Sequence, residues 1–217
     1  MMEEVVSGKK DKILREFEEV CREYFLGRVE REDGALSCVS ESVYGFTEFY
    51  PAFIDVGVKV LKAGLAPVVE LAAREEGEEA SLTMTREGVV RVERATVERR
   101  EFDEFELEPL GLSSVVSVAL SRSGACAERE ERGIKVTACG WLDAEADYDE
   151  GVSRLMGRAR ARAALRCRLD AEEIRRRVTE ALDEAERLAG RLARDLVEDA
   201  ASKVKRRVEK AEKEVFG

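Results

Sequence analysis

Arginines at regular spacing are the side chains of this sequence best suited to bind another charged group. Residues 151–177 hold nine basic and three acidic side chains, although the 217-residue chain has a formal charge of -10. Four of these arginines are spaced by four residues: Arg154, Arg158, Arg162 and Arg166. On a helix they form one row, and a guanidinium group can bind a carboxylate or a phosphate through two parallel hydrogen bonds. The row therefore predicts a site for an acidic partner or an anion.

The same segment also alternates as a strand would. Between 158 and 168 the arginines occupy even positions, whereas Ala, Leu and Cys occupy odd ones. Ala and Arg favour helices over strands, so we expect a helix here and keep the strand as the alternative.

Acidic side chains elsewhere in the protein, or in a second copy, are the expected partners of these arginines. Five of them lie close together: Glu101, Asp103, Glu104, Glu106 and Glu108. On a strand, Phe105 and Leu107 would face the other way. Residues 1–150 carry 19 basic and 34 acidic groups, a net charge of -15 that repels phosphate, and no aromatic residues are interleaved with the arginines. Binding of RNA or DNA is therefore only an alternative.

Catalytic chemistry has little support in the sequence. The chain contains no His, which removes the usual general base and the commonest metal ligand. It contains no phosphate-binding loop, dinucleotide fingerprint or nucleophile elbow. Residues 143–150 resemble the start of a calcium loop, but Tyr148 stands where Gly is needed and Arg154 where a bidentate Glu is needed. We predict no catalytic residue, metal or cofactor, and we favour a non-enzymatic protein while leaving an enzyme open.

One of the five cysteines can be paired with another from the sequence. A hairpin folded about Arg132 and Gly133 sets Cys126 opposite Cys139. At that step of an antiparallel ladder the Cα atoms are about 4.5 Å apart, which is short enough for a disulfide. A short helix through 125–131 is the local alternative. The other cysteines are expected to be small buried apolar groups.

The N-terminal part of the chain predicts one helix and then a sheet. Residues 9–26 have the apolar stripe of an amphipathic helix. From 35 to 142 the apolar residues alternate, clearest in 54–60, 90–92 and 116–120. Glycines recur in this region at intervals that are too short for a crossover helix, so none is expected. The predicted fold class is α+β, with the N-terminal helix, an antiparallel meander of six or seven strands and a long helical C-terminal region.

The C-terminal part predicts a long helix. Asp170 and Glu173 form a capping box, so a new helix should start at Ala171 after a break near 169–171. Its apolar stripe continues past Gly190. About 45 residues at about 1.5 Å each give a rod near 68 Å, longer than a compact body of about 40 Å. The rod should therefore overhang a body of residues 1–148 as part of an extension, 149–217.

An overhanging apolar stripe needs a partner helix, most simply one from a second copy. The residues expected to make this contact lie along the stripe: Ile174, Val178, Leu188, Leu192, Leu196, Val204 and Val208. The alternative is a helix broken near Gly190 or Asp199 and folded back within one chain.

The composition and these elements together give a functional expectation. The absence of Asn and Gln and the 39% of charged residues indicate adaptation to high temperature. The chain has no apolar membrane span and no signal core at its start, so the cytoplasm is expected. We predict a non-enzymatic, self-associating scaffold or interaction protein from a thermophile, homo-oligomeric through its C-terminal helix, with an unidentified protein partner.

The alternative class is a small-molecule-binding protein or an enzyme. Its pocket would lie between the sheet and the N-terminal helix. The expected lining is aromatic: Phe17, Tyr24, Phe46, Phe49 and Tyr50.

Overall fold

The computed structural model of the chain describes residues 2–75, 78–98, 105–106, 124–147 and 152–216. The helices in these ranges are α1 (Met2–Phe25), α2 (Tyr44–Lys62) and α3 (Ala171–Phe216). The strands are β1 (Arg28–Glu32), β2 (Ala35–Ser40), β3 (Val68–Glu75), β4 (Glu78–Thr85), β5 (Val89–Glu98), β6 (Phe105–Glu106), β7 (Gly124–Glu131), β8 (Ile134–Asp147) and β9 (Val152–Arg166). The fold is therefore α+β, as predicted. The expected strand at 116–120 lies outside the described residues.

The sheet is mixed. Eight strands follow the order β1-β2-β3-β4-β5-β9-β8-β7, and the two-residue β6 pairs with β9. β2 and β3 are parallel, with Ala35 beside Val68 and Ser40 beside Ala73. The pairs β1–β2, β3–β4 and β4–β5 are antiparallel. The prediction of a purely antiparallel meander of six or seven strands is therefore wrong in strand number and in orientation.

The error has a definite origin in residues 54–60, which belong to helix α2 and not to a strand. Parallel neighbours need a crossover connection, and α2 supplies it between β2 and β3. The helix packs so closely on the sheet that a Cβ on Gly57 would overlap Met84. Because α2 is apolar on most of its surface, its valines alternate by chance and hide the helical period.

Two compact units make up the chain, and each contains three separate segments. The first consists of 1–95, 129–136 and 162–185, and the second of 96–128, 137–161 and 186–217. The division into a body, 1–148, and a helical extension, 149–217, stays a prediction from the sequence.

The core of the first unit lies between its helices and one face of the sheet. The predicted N-terminal helix is confirmed as α1, and it buries Phe17, Cys21 and Phe25. The rings of Phe17 and Phe53 lie 5.6 Å apart, so α1 packs on α2. On the sheet, buried residues alternate with residues of intermediate exposure along β2, 68–73 of β3 and 79–85 of β4.

In the second unit, α3 packs on the long strands. A Cβ on Gly140 of β8 would lie 3.0 Å from the backbone nitrogen of Ala193, and one on Gly157 of β9 would lie 2.8 Å from Cγ2 of Val197. Val204 is also buried. Only glycine allows such a close approach of helix and sheet backbones.

The predicted helix through 154–166 is wrong, and the strand alternative is correct. The inward positions of β9 from 157 to 165 are Gly, Ala and Leu, and all of them are buried. Small residues are needed there because the sheet packs closely, so packing outweighs the helix propensity of Ala and Arg.

The predicted start of the long helix is confirmed. α3 begins at Ala171, and the backbone N–H of Glu173 donates to Oδ1 of Asp170 at 2.9 Å. The helix then runs for 46 residues without a break, so the folded-back alternative is wrong.

Candidate functional site

Strand β9 places its arginines along one face of the sheet. Arg158 and Arg160 have intermediate exposure, and Arg162 and Arg166 are exposed. The side chain of Arg154 lies outside the described residues. A strand spaces alternate residues by about 6.6 Å, so the arginines form a ladder across the sheet surface and not a row on a helix.

The observed partner of this ladder is an acid in the same protein. Nε of Arg162 lies 2.9 Å from Oε2 of Glu93, which stands on the neighbouring strand β5. Arg158 and Arg160 also interact with other groups of the protein. Of the expected partners, Glu106 lies in β6, but its side chain is outside the described residues, as are Glu101, Asp103, Glu104 and Glu108.

The sheet of the first unit has a second face, opposite the buried residues, which we call the open sheet face. Its residues on β2 to β5 are short uncharged side chains mixed with charged ones: Ala35, Ser37, Val39, Val68, Glu70, Ala72, Arg74, Glu79, Ser81, Thr83, Thr85, Val89, Arg91 and Glu93. All have intermediate exposure except Arg74 and Arg91, which are exposed. Among the described residues this face is therefore accessible to solvent. Five of these fourteen residues are charged, a share close to the 39% of the whole chain.

Two unlike charges flank the centre of the open sheet face. Glu70 on β3 is the cross-strand partner of Thr83 on β4, and Thr83 is the cross-strand partner of Arg91 on β5. The acid and the base thus lie one strand to either side of β4, with their Cα atoms about 10 Å apart. Each of these two strands also carries a residue of the opposite sign on the same face, Arg74 on β3 and Glu93 on β5.

The residues of the predicted oligomer contact on α3 differ in burial. Ile174, Val178 and Val204 are at most 3% exposed in the single chain, so they belong to its own core. Leu188, Leu192 and Leu196 have intermediate exposure, and the side chain of Val208 lies outside the described residues.

The expected overhang assumed a compact body about 40 Å across. β8 and β9 have 14 and 15 residues, which is about 46 to 50 Å of strand at 3.3 Å per residue. At about 69 Å, α3 is still longer than either strand. Part of its stripe is buried within the single chain, and the oligomer contact stays a prediction.

The expected aromatic pocket is filled by its own rings. Phe17, Phe46 and Tyr50 are at most 6% exposed, and the rings of Tyr24 and Phe49 lie 5.5 Å apart. The hydroxyl of Tyr50 is 2.7 Å from that of Thr179 on α3. These residues therefore pack as core, with only Tyr24 substantially exposed.

An open groove of about 580 Å³ lies between α1, α2 and the start of α3. Two ion pairs line it, Arg175 with Asp55 and Lys59 with Glu16. Four of the charged side chains that line it therefore pair with each other.

Two disulfides join cysteines of the chain, and Cys167 is free. Cys126 of β7 is bonded to Cys139 of β8, with Cα atoms 4.1 Å apart. The turn lies at 132–133, as the hairpin prediction required, and the helical alternative for 125–131 is wrong. Oγ1 of Thr137 lies 3.3 Å from Oε1 of Glu128, which fits the same register.

The second disulfide was missed by the sequence analysis. Cys21 of α1 is bonded to Cys38 of β2, and both residues are fully buried. Their burial agrees with the expectation for structural cysteines. Their bond depends on how α1 packs on the sheet, and no local sequence pattern reveals that.

The described residues contain no group of three or more Asp, Glu or Cys side chains arranged to hold a metal ion. In the same part of the chain, no helix is both long and apolar enough to cross a membrane. The sequence matches no protein-family model. A comparison with curated proteins finds no match either.

Proposed function

We propose that this protein is a non-enzymatic, self-associating interaction protein whose two copies pack through the open sheet face. The observation that carries the proposal is the placement of Glu70 and Arg91, one strand to either side of β4 on the accessible side of the sheet. Short uncharged side chains lie beside these two charges: Val39, Ala72, Ser81 and Thr83.

A second copy is the partner that the charges fit. Consider a two-fold axis that runs along β4 between two facing sheets. It places β3 of one copy above β5 of the other, so Glu70 of each copy faces Arg91 of its partner. Stacked sheets are about 10 Å apart, a distance that a glutamate and an arginine side chain span together. The contact is isologous, since the same surface serves both copies.

The residues between these charges suit close packing. Val39, Ala72 and Ser81 lie in one cross-strand row, and Thr83 lies in the next. Their short side chains allow the middle of two such faces to approach closely, while Glu93 at the end of the first row stays paired with Arg162 of its own chain. The contact differs from the one that we expected from α3, because Ile174, Val178 and Val204 of that prediction are buried within the single chain.

Light scattering over a concentration series tests the proposal. We expect the full chain to be a dimer. Glu70→Arg and Arg91→Glu each bring like charges together across the axis, so each should shift the mass toward that of a monomer. The double variant exchanges the two charges and should restore the dimer.

A matched control changes the same charge away from the sheet face. Arg176→Glu on α3 replaces an exposed arginine that pairs with Glu180, and it should leave the mass unchanged. A monomeric wild type, or single variants that remain dimers, would contradict the proposal.

We also propose that the protein works at high temperature in the cytoplasm. The absence of Asn and Gln supports this, as does a network in which Arg129 contacts both Glu131 and Glu184. Disulfides persist inside hyperthermophilic cells, so the two bonds are compatible with this location. A melting temperature below about 70 °C would count against adaptation to heat.

A further inference from the structure

We infer that the Cys126–Cys139 disulfide is a site of thiol–disulfide exchange with a dithiol partner, whereas Cys21–Cys38 is an inert cross-link. The inference is independent of the proposed dimer, because it rests on the different accessibility of two disulfides in one chain.

The accessible bond lies on the β7–β8 hairpin. Cys126 is exposed, and Cys139 has intermediate exposure on the adjacent strand. The next pair toward the turn, Glu128 and Thr137, is polar. Because Cys126 is an exposed residue, a thiolate in solution can approach its Sγ. Exposed disulfides are the ones that take part in exchange.

The Cys21–Cys38 disulfide is buried inside the protein. Cys21 and Cys38 have no exposed surface. The backbone of Gly27 lies against both sulfur atoms, so closely that a Cβ at this position would be 3.1 Å from each. An attacking thiolate needs a straight approach to one sulfur, and here the protein itself occupies that space. This bond should open only when α1 separates from β2.

The hairpin can lose its cross-link without losing its strands. The turn at 132–133 and the pairing of β7 with β8 hold the two strands together. β7 is the last strand in the sheet order, so no further strand on this path depends on its position. We therefore expect exchange to proceed in the folded protein.

The chemistry is a two-electron exchange in two steps. A thiolate of the dithiol attacks Sγ of Cys126, the S–S bond breaks, and Cys139 leaves as a thiolate. The second thiolate of the same dithiol then attacks the dithiol sulfur of the mixed disulfide, and Cys126 leaves as a thiolate. The partner becomes a cyclic or intramolecular disulfide, and its two protons end on Cys126 and Cys139. The dithiol is oxidised and the hairpin is reduced.

The test uses the native full-length protein and dithiothreitol as the dithiol. Samples taken over time are alkylated with iodoacetamide, and peptide mass spectrometry follows each cysteine pair. We expect Cys126 and Cys139 to become alkylated at least about tenfold faster than Cys21 and Cys38. Oxidised dithiothreitol, added after removal of the reductant, should re-form the hairpin bond.

Two controls keep the result interpretable. In denaturant both disulfides should open at similar rates, which shows that the native difference comes from the fold. The double variant Cys126→Ser with Cys139→Ser should keep the wild-type circular dichroism spectrum, which shows that the reduced hairpin stays folded.

Several results would overturn the inference. These are equal opening rates in the native protein, a hairpin bond that opens only on unfolding, and one that does not re-form. Free thiols at both positions in protein treated with an oxidant would overturn it too.

Discussion

Gly88 and Cys167 hold the β4–β5 turn against the end of β9. The backbone N–H of Cys167 donates to the carbonyl oxygen of Gly88 at 2.9 Å. Gly88 has a φ of 78°, in the region that favours glycine, and a Cβ on it would overlap the carbonyl oxygen of Cys167. Two parts of the chain almost eighty positions apart thus meet through backbone atoms alone.

Gly88→Ala should therefore destabilise the protein strongly. A left-handed alanine costs about 1 kcal/mol, and the overlap with backbone adds to that cost because it cannot be relieved by a rotamer change. We expect a loss of more than about 2 kcal/mol in the free energy of unfolding, measured by denaturant titration.

A variant of a second glycine separates the cost of the left-handed backbone conformation from the cost of the overlap. Gly34 has a φ of 82°, but a Cβ there would meet only the ring of Pro67 at 3.6 Å, an ordinary contact. Gly34→Ala should show the cost of the backbone conformation alone. If Gly88→Ala were no more destabilising than Gly34→Ala, the close approach to Cys167 would be wrong.

The start of α3 provides a second prediction. Asp170 accepts a hydrogen bond from the backbone N–H of Glu173, so Asp170→Ala removes a cap. We expect a loss of about 1 kcal/mol in the free energy of unfolding, and Asp170→Ser should recover much of it. Asp183→Ala makes the same chemical change at an exposed position inside α3 and should be close to neutral. Equal effects of the two alanine variants would rule out the capping role.

Features set by neighbouring residues could be predicted from the sequence. The N-cap at Asp170 and the turn at Arg132 and Gly133 each depend on a few adjacent side chains and backbone angles. The amphipathic stripe of α1 depends only on one helical period. The structure has all three.

Features set by packing between distant parts of the chain could not be predicted from the sequence. Residues 54–60 alternate like a strand, but α2 is a helix because β2 and β3 are parallel and need a crossover. β9 is a strand because its small residues pack beneath α3, although Ala and Arg favour helices. The open sheet face combines side chains from four strands, so it appears only once the strand order is known.

A third prediction tests the packing of α3 on its own sheet. At Gly140 a Cβ would lie 3.0 Å from the backbone nitrogen of Ala193 and 3.2 Å from the carbonyl carbon of Leu192. Gly140→Ala must push helix and strand apart, so we expect a loss of about 1 to 3 kcal/mol by denaturant titration. Gly124→Ala on β7 would meet only a carbonyl oxygen at 3.6 Å. It should be neutral or slightly stabilising, because alanine reduces the entropy of the unfolded chain.

If α3 instead packed against a second copy, the outcome would differ. Gly140→Ala would then leave the stability of the monomer unchanged and would alter only the mass measured by light scattering. That result would restore the contact expected from the sequence and contradict the burial of Val204.

The free thiol of Cys167 gives the last prediction, which concerns pH. Burial raises the pKa of Cys167, and the nearby Arg177 opposes this by favouring the thiolate. A raised pKa means less thiolate at a given pH, so alkylation of the folded protein should be slow near neutrality. Its rate should rise only as the pH passes above the ordinary range for a thiol.

Two arginine variants test the cause of this shift. Arg177→Leu removes the charge that lies closest to the sulfur, with Nη1 3.9 Å from Sγ. It should raise the pKa of Cys167 further and slow alkylation at any pH below it. Arg176 favours the thiolate less than Arg177 does, so Arg176→Leu should have a smaller effect in the same direction.

The measurement is the rate of iodoacetamide modification of Cys167 against pH, followed by peptide mass spectrometry. A pH midpoint at or below that of the unfolded chain would contradict the burial of this thiol. Faster alkylation in Arg177→Leu would contradict the role of the arginine, provided that circular dichroism shows the variant to be folded.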